Sequence, residues 1–514
     1  MKRLLIAAFL LVAAGALLLR DNAPTASKAR RSLVVYCAAG LKKPIEALAA
    51  QYTQEFGDEV QVQYGGTGTL LSTLRTVQTG DLFIAADAAG IEDGHKHKLL
   101  AEVIPIIRQR PILAVSKGNP KQLLSLQDLQ RKGIRFALTN PESAALGRLT
   151  RKLLGPDYEP LSQKATVTKP TVNDIASDLN LGTVDAAILW DSTAAQFPNL
   201  EVVQLPKLSE HTEDACAAVL AASKQPTAAL RFARFLAAPE RGAIVFEKMG
   251  FPPIRGDRWA EAPELILYSG GVNRPAVEQL LREFSDREGA RVTTVFNGCG
   301  VLCASMKTMG NSANPKFPDA YYACDLCFVP PVAEHFPKSW ILTETEIGLV
   351  VKKGNPRGIQ KLDDLAMPGL RVGLCNAEQS TLGYMTRGML KSRNLTEVVT
   401  KNVAVEVPTA DFLINQMRAG ALDAAIVYRV NAIPQSEHLE FLPINHPGAK
   451  AAQPFSIRTD TPNAQLAGRL LEFFKTHRER FEAAGFAWKG DERPLDSSKI
   501  EIPEWLRPNQ GQKP

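Results

Sequence analysis

Hydrophobic and polar positions along this chain alternate between two periods, and the whole alternation is written twice. Residues 33–38, LVVYCA, are a short apolar run that predicts a buried strand. Ile45, Leu48, Tyr52 and Phe56 then recur at helical spacing between Pro44 and Phe56. VQVQY alternates like a strand, GGTGT is a turn, LLSTLRTV reads as a helix and DLFIAAD as a strand again. From Leu265 the series returns as LILYSGGVNRPAVEQLLREF, VTTVFNGCGVLC and YACD. KGNP and L-x-D-L occur in both halves, TNPESAALGRLTRKLL is answered by CNAEQSTLGYMTRGML, and LGTVDAAILWDS by AGALDAAIVYRV. A period on the order of 200 residues is far above the roughly 20–50 of a solenoid, so the repeat unit is a whole domain.

Strand–turn–helix repeated in this way predicts a parallel α/β sheet with its ligand site at the carboxyl ends of the strands. The loops to search are therefore AAGLKKP, GGTGTL, AADAAG, TNPESAALG and LWDS, with SGGVNRP, NGCGVL, ACDLC, NAEQSTLG and VYRV in the second copy. The expected fold is two tandem α/β units, each of two lobes with a hinge and an interlobe cleft. The chain crosses twice between lobes, with Glu201 to Leu220 and Glu440 to Ser456 returning toward the first lobe. The boundaries read as 33–254 for the first unit, 255–263 for a Pro-rich linker and 264–488 for the second unit. Residues 20–32 are a tether and 489–514 a polar tail. The length of 514 residues is ample for two separate cores.

Composition changes little in this picture. Charged residues make up 22% and the net charge is +6, scattered and without a basic stripe interleaved with aromatics, which speaks against nucleic-acid binding. The N-terminus matters more. Lys2 and Arg3 precede an apolar run from Leu4 to Leu19, the pattern of a signal peptide or an N-terminal membrane anchor over residues 1–19. No cysteine borders the run, which argues against a lipoprotein signal, and no later apolar segment is long enough for a permease span. The expected location is periplasmic or extracytoplasmic, soluble or N-terminally anchored.

The predicted cleft loops are small, neutral and rich in glycine or hydroxyls, and several open directly onto helices. Backbone N–H groups at a helix start bind an anion without a cationic side chain. GGTGTL lacks the Lys-Ser/Thr pair of a phosphate-binding P-loop, and the chain has neither G-x-S-x-G nor H-E-x-x-H. That favours binding over catalysis. No helix-turn-helix precedes the units, which disfavours a ligand-responsive regulator.

On these motifs each unit resembles the periplasmic molybdate-binding protein family, the type II substrate-binding components of ABC importers. The resemblance rests on Ala38-Ala39-Gly40-Leu41, Thr67-Gly68-Thr69-Leu70, Ala85-Ala86-Asp87, Asn140-Pro141 with Gly147, Leu189-Trp190 and Gly250-Phe251. It implies an oxyanion held by hydroxyls, backbone amides and a tyrosine hydroxyl, and an importer permease as partner. Carried over by position, the ligand residues are Gly40, Thr67, Gly68, Leu146, Val172 and Trp190, then Gly271, Cys299, Leu382, Ala410 and Tyr428. Gly40 and Gly271 stand where the family has serine, Trp190 replaces the tyrosine, and Cys299 replaces the serine that opens the next helix. Thr69, Ser380 and Thr381 offer neighbouring hydroxyls.

Cysteines cluster in the second unit. Cys299 and Cys303 are one helical turn apart, Cys324 and Cys327 form C-x-x-C, and Cys375 closes another strand. Three readings stand: disulfides linking the two pairs, a soft-metal site of Cys299, Cys303, Cys324 and Cys327, or small core residues. The first two would mean that this cleft has lost an oxyanion site. They also leave an enzyme, or a redox or metal-binding protein on the same fold, as the alternative function.

Overall fold

The computed structural model describes residues 32–310, 313–502 and 504–506. The N-terminal apolar run, the tether up to Arg31 and the end of the tail lie outside the described residues. Among the described residues no helix is long and apolar enough to cross a membrane. By compactness the chain divides into two units. One is the chain up to Leu99 with Gln109–Glu213 and Leu220–Ser223; the other is Leu100–Arg108, Asp214–Val219 and the chain from Lys224 onward.

The first unit begins with β1 (Ser32–Ala38), α1 (Lys42–Phe56), β2 (Glu59–Gly65), α2 (Thr67–Val77), β3 (Leu82–Ala85) and α3 (Ala88–Lys96). β1 lies between β2 and β3 and runs parallel to both. Its apolar run is mostly buried, whereas β2 alternates exposed and half-buried residues, as its V-Q-V-Q pattern anticipates. After β4 (Leu100–Gln109) the chain enters a second sheet made of β5 (Pro111–Ser116), β6 (Phe136–Thr139), β7 (Val167–Lys169), β8 (Ala186–Trp190) and β9 (Leu200–Val203). Its order is β7-β6-β8-β5-β9, with helices α4 (Ala145–Leu154) and α5 (Val172–Asn180) connecting the parallel strands. β10 (Glu213–Leu220) then brings the chain back, and the Leu220 N–H donates to Asp81 O.

The second unit repeats the series as β11 (Glu264–Gly270), α6 (Arg274–Glu288), β12 (Arg291–Asn297), α7 (Cys299–Met309), β13 (Ala320–Tyr322) and β14 (Lys338–Lys352). β15 (Val372–Cys375), α8 (Thr381–Ser392), β16 (Val403–Val407), α9 (Ala410–Arg418), β17 (Ala424–Tyr428), β18 (Leu439–Pro443) and β19 (Lys450–Ile457) follow. The order is β12-β11-β13-β19-β14-β17-β15-β16, with β18 and the two-residue strands β20 (Ala487–Trp488) and β21 (Leu495–Asp496) also paired to β14.

Two expectations need correction. The sheets are mixed rather than parallel: β5 is antiparallel to β8 and β9, and β14 to β17, β18 and β19. A strand that enters from the other lobe arrives without a crossover helix, so it lies antiparallel to its neighbours. The lobes of the second unit are also not separate sheets. The 15-residue β14 pairs with β19 along its first part and with β17 and β18 along its second, joining an 11-stranded array. In the first repeat the corresponding path breaks at Arg110, before Pro111, whose missing N–H cannot continue a ladder.

Gly348 marks where β14 is most tightly enclosed. A Cβ there would stand 2.6 Å from Leu442 O and run into the Phe441 ring. Gly348→Ala is expected to destabilise the protein by about 1–3 kcal/mol through overpacking, read as a lower urea midpoint. An unchanged midpoint would show that β18 yields freely.

Candidate functional site

In the first unit the ends of four strands and the starts of three helices converge. Ala38 closes β1, Gly65 and Gly66 lead into Thr67 at the start of α2, and Ala86 follows β3. From the facing lobe come Ala144 and Ala145 at the start of α4, Thr171 and Val172 at the start of α5, and Trp190 at the end of β8. These residues, with Ala39, Gly40 and Leu146, line one cavity of about 20 Å³. None of them is charged. Gly40, Thr67, Leu146, Val172 and Trp190, picked out from sequence, are therefore brought together. Thr67 is buried; its Oγ1 accepts from the Ala86 N–H at 3.4 Å, which leaves its own O–H free to donate. Gly68 is not among the lining residues: its N–H donates to Ser143 O at 2.9 Å.

That bond belongs to a set that holds the cleft shut. The Thr69 N–H also points at Ser143 O (3.4 Å), and Asn173 Nδ2 donates to Ala39 O (2.6 Å). Arg148 pairs with the buried Asp87 at 3.0 Å. Burial raises the Asp87 carboxyl above its ordinary range even though Arg148 pulls it down. In the sequence Asp87 stands out only as part of Ala85-Ala86-Asp87, a mark of the family resemblance. Its partner, one turn into α4, shows only when the lobes face each other.

The second cleft is built on the same frame with different chemistry. Strand pairing fixes the register: Ala38 is opposite Gly65, and Gly270 is opposite Asn297, each partner two residues before Thr67 or Cys299. Gly271 thus corresponds to Ala39, and Val272 to Gly40. The assignment of Gly271 to the family serine is off by one: a glycine invites pairing with Gly40, but the ladder puts Val272 in that place. Cys299, Cys324, Cys375 and Tyr428 stand where the first unit has Thr67, Ala86, Thr139 and Trp190. Leu382 in α8 and Ala410 at the start of α9 are buried like Leu146 and Val172. Tyr428 Oη and Thr381 Oγ1 are buried without a hydrogen-bond partner among the described residues. Arg429 lies outside this chemistry, paired with Glu346 at 2.8 Å on an exposed surface.

All seven cysteines are buried, and no disulfide joins them in this structure. Cys299 Sγ accepts the Cys324 N–H at 3.0 Å; burial pushes this thiol up, but hydrogen bonds from Cys324 and Tyr321 bring it below its ordinary value. Cys303 turns away: it donates to Phe328 O (3.5 Å), lies 3.7 Å from Tyr321 Oη, and is pushed by burial up to about 12. Burial does the same to Cys375, also to about 12. Among the described residues no three His, Cys, Asp or Glu side chains are grouped to hold a metal ion. The expected metal set of Cys299, Cys303, Cys324 and Cys327 is thus not gathered on a common point, and the expected disulfides are not formed. Cys299 and Cys303, one turn apart on α7, share a face and both meet Tyr321, but Cys299 also accepts the Cys324 N–H while Cys303 donates to the Phe328 carbonyl.

Asp325, in the position of Asp87, is buried too, but Tyr384 occupies the place of Arg148. The Asp325 carboxylate is met by the N–H groups of Cys327 (3.0 Å) and Ala452 (2.9 Å) instead of a cation.

The sequence profile of the family described as bacterial extracellular solute-binding protein matches residues 33–252 and again 265–487. A Haemophilus influenzae protein described as a binding protein is 30% identical over 226 residues, 43% of this chain and 91% of its own length. The molybdate-binding protein ModA of Mycobacterium bovis is 27% identical over 252 residues, 47% of this chain and 94% of its own. The solved periplasmic molybdate-binding protein of Azotobacter vinelandii shares 18% identity, covers 43% of this chain and 98% of its own, and superposes with a TM-score of 0.36.

Two measurements probe the second cleft. Burial raises the Asp325 carboxyl above the ordinary carboxylate range. The folded protein then keeps a proton that the unfolded chain releases at lower pH, so stability falls as pH rises through that window and the full cost is present above it. Asp325→Asn is expected to gain stability relative to the parent chain progressively as pH rises above the ordinary carboxylate range, read as urea midpoints. A difference that stays flat with pH would refute this. Thiol titration should count all seven cysteines in the denatured, unreduced protein and almost none reacting quickly in the native one, because buried protonated thiols are poor nucleophiles. A lower count after denaturation would reveal disulfides.

Proposed function

This chain belongs to the bacterial extracellular solute-binding protein family, in tandem duplicate, and from that premise we propose that its first cleft captures a small oxyanion by hinged closure. The anion class is that of molybdate and tungstate. The observation that carries the reading is the cavity lined by Gly40, Thr67, Leu146, Val172 and Trp190 with no charged side chain. A buried anion needs hydrogen-bond donors. Amides at helix starts and the Thr67 hydroxyl supply them already oriented, without the desolvation of a competing cation. The similarity to molybdate-binding ModA supports the same anion class.

The N-terminal pattern supports an extracytoplasmic protein, exported by a signal peptide or held by an anchor, that delivers its cargo to the permease of an ABC importer. The reading is capture and release, with no turnover. The second cleft takes no equal part in it: thiols occupy the places of Thr67 and Thr139, and thiols are weak donors.

Calorimetric titration of the full-length protein with molybdate, tungstate, sulfate and phosphate tests the proposal. Molybdate or tungstate is expected to bind at one site per chain. Thr67→Val is expected to weaken binding by about 1.5–3 kcal/mol, the worth of a hydrogen bond to a charged group. Absence of heat with all four anions would overturn it, and two equivalent sites would overturn the distinction between the clefts.

A further inference from the structure

The first cleft lacks the serine side chain that its family resemblance calls for, since position 40 is glycine. A Cβ at Gly40 would stand 3.0 Å from Val172 Cγ1, and a β-branched valine at a helix start has little room to yield. A serine is therefore excluded from this cleft unless the packing shifts. The same space is bordered on another side by a hydroxyl. Thr193 Oγ1 lies 3.6 Å from the position of that absent Cβ, with Trp190 Cδ1 at 3.9 Å.

Thr193 is fully buried, and its Oγ1 has no hydrogen-bond partner among the described residues. A threonine in a helix commonly satisfies itself on a carbonyl of the preceding turn, as Thr150 does on Leu146 O at 2.7 Å. Thr193 stands in the short helix Asp191–Ala194 directly after β8, where no full preceding turn exists. Its neighbour Ser192 is bonded to Gln109 Oε1 at 2.8 Å, so polar groups in this helix do find partners where the protein provides them. Thr193 is not itself among the residues that line the cavity but stands against Gly40, which is; a buried hydroxyl without an acceptor is a standing cost, and a ligand oxygen reaching past Gly40 would remove it.

We infer that Thr193 is a ligand-binding residue of the first cleft, donating to the bound oxyanion in place of the serine hydroxyl excluded by Gly40. The inference rests on the oxyanion reading of that cleft and names one more donor within it. The position is polar in the second unit too, where Asn431 holds Asp411 through its amide nitrogen (3.0 Å) and keeps a buried, unpaired Oδ1. An amide oxygen repels an oxyanion, in keeping with a second cleft that takes no such ligand.

The test compares the full-length protein with Thr193→Val and Thr193→Ser, titrated with molybdate and tungstate by calorimetry and melted without ligand. Thr193→Val keeps the shape and removes the hydroxyl, so affinity is expected to fall about tenfold or more while the melting temperature of the unliganded protein stays level or rises. Thr193→Ser is expected to bind within a few-fold of the parent. Unchanged affinity in Thr193→Val would overturn the role of the hydroxyl. Equal losses in both variants would show that affinity does not follow the hydroxyl, which Thr193→Ser retains, and would overturn it as well. If the parent protein binds neither anion, the oxyanion reading falls first and this inference with it, a result distinct from the other two.

Discussion

In each repeat, the loop that opens the helix after the second strand presses so closely on the facing lobe that it has no room for side chains. A Cβ on Gly66 would run into Ser143 O, and one on Gly68 into Glu142 O. In the second unit Gly298 and Gly300 meet Gln379 O and Glu378 O in the same way. This close approach brings backbone amides from both lobes to one small space and leaves the residue between each glycine pair, Thr67 or Cys299, as the side chain inside it. Gly147 and Gly383 extend the same constraint to the facing helix, where a Cβ would run against the backbone of Asn140 or Cys375. The site is thus made of main chain first and side chains second, which explains how it can be neutral and still suit an anion.

On that shared frame the two clefts have diverged. The first retains a hydroxyl at Thr67 and closes with an ion pair, Arg148 on Asp87. The second keeps the buried acid as Asp325 but has tyrosine in place of the arginine, so the carboxyl is met by backbone N–H groups and the Cys327 side chain rather than by a cation. Sulfur fills the remaining space: Cys324 Sγ lies against Gly270, where any Cβ would collide with it. Burial and mutual proximity hold most of these thiols protonated, so the cleft has become apolar in practice while Tyr428 and Thr381 keep unpaired hydroxyls.

Much of this was legible before any coordinates. The doubled series of strand and helix, with the GGTGT turn leading into the helix that follows it, comes from periods of two and 3.6 residues and from glycine-marked turns. The resemblance to the molybdate-binding family, carried over by position, then named five residues that line one cavity. Where two local readings were equal, sequence failed. Gly271 pairs with Gly40 as a letter, but the ladder between Gly270 and Asn297 puts Val272 there instead. Cys299 and Cys303 share a helical face, yet their sulfurs part because one meets the Cys324 backbone and the other the Phe328 carbonyl.

The sequence by itself determined the duplication, the fold class and the loops that form the clefts, because these depend on local periodicity and on backbone freedom at glycine. Only the tertiary structure decided the antiparallel returns, the unbroken β14, the Asp87–Arg148 clasp and the unpaired hydroxyl of Thr193. Each depends on which groups from distant segments meet, and the chain's local pattern carries no term for a partner more than a few residues away.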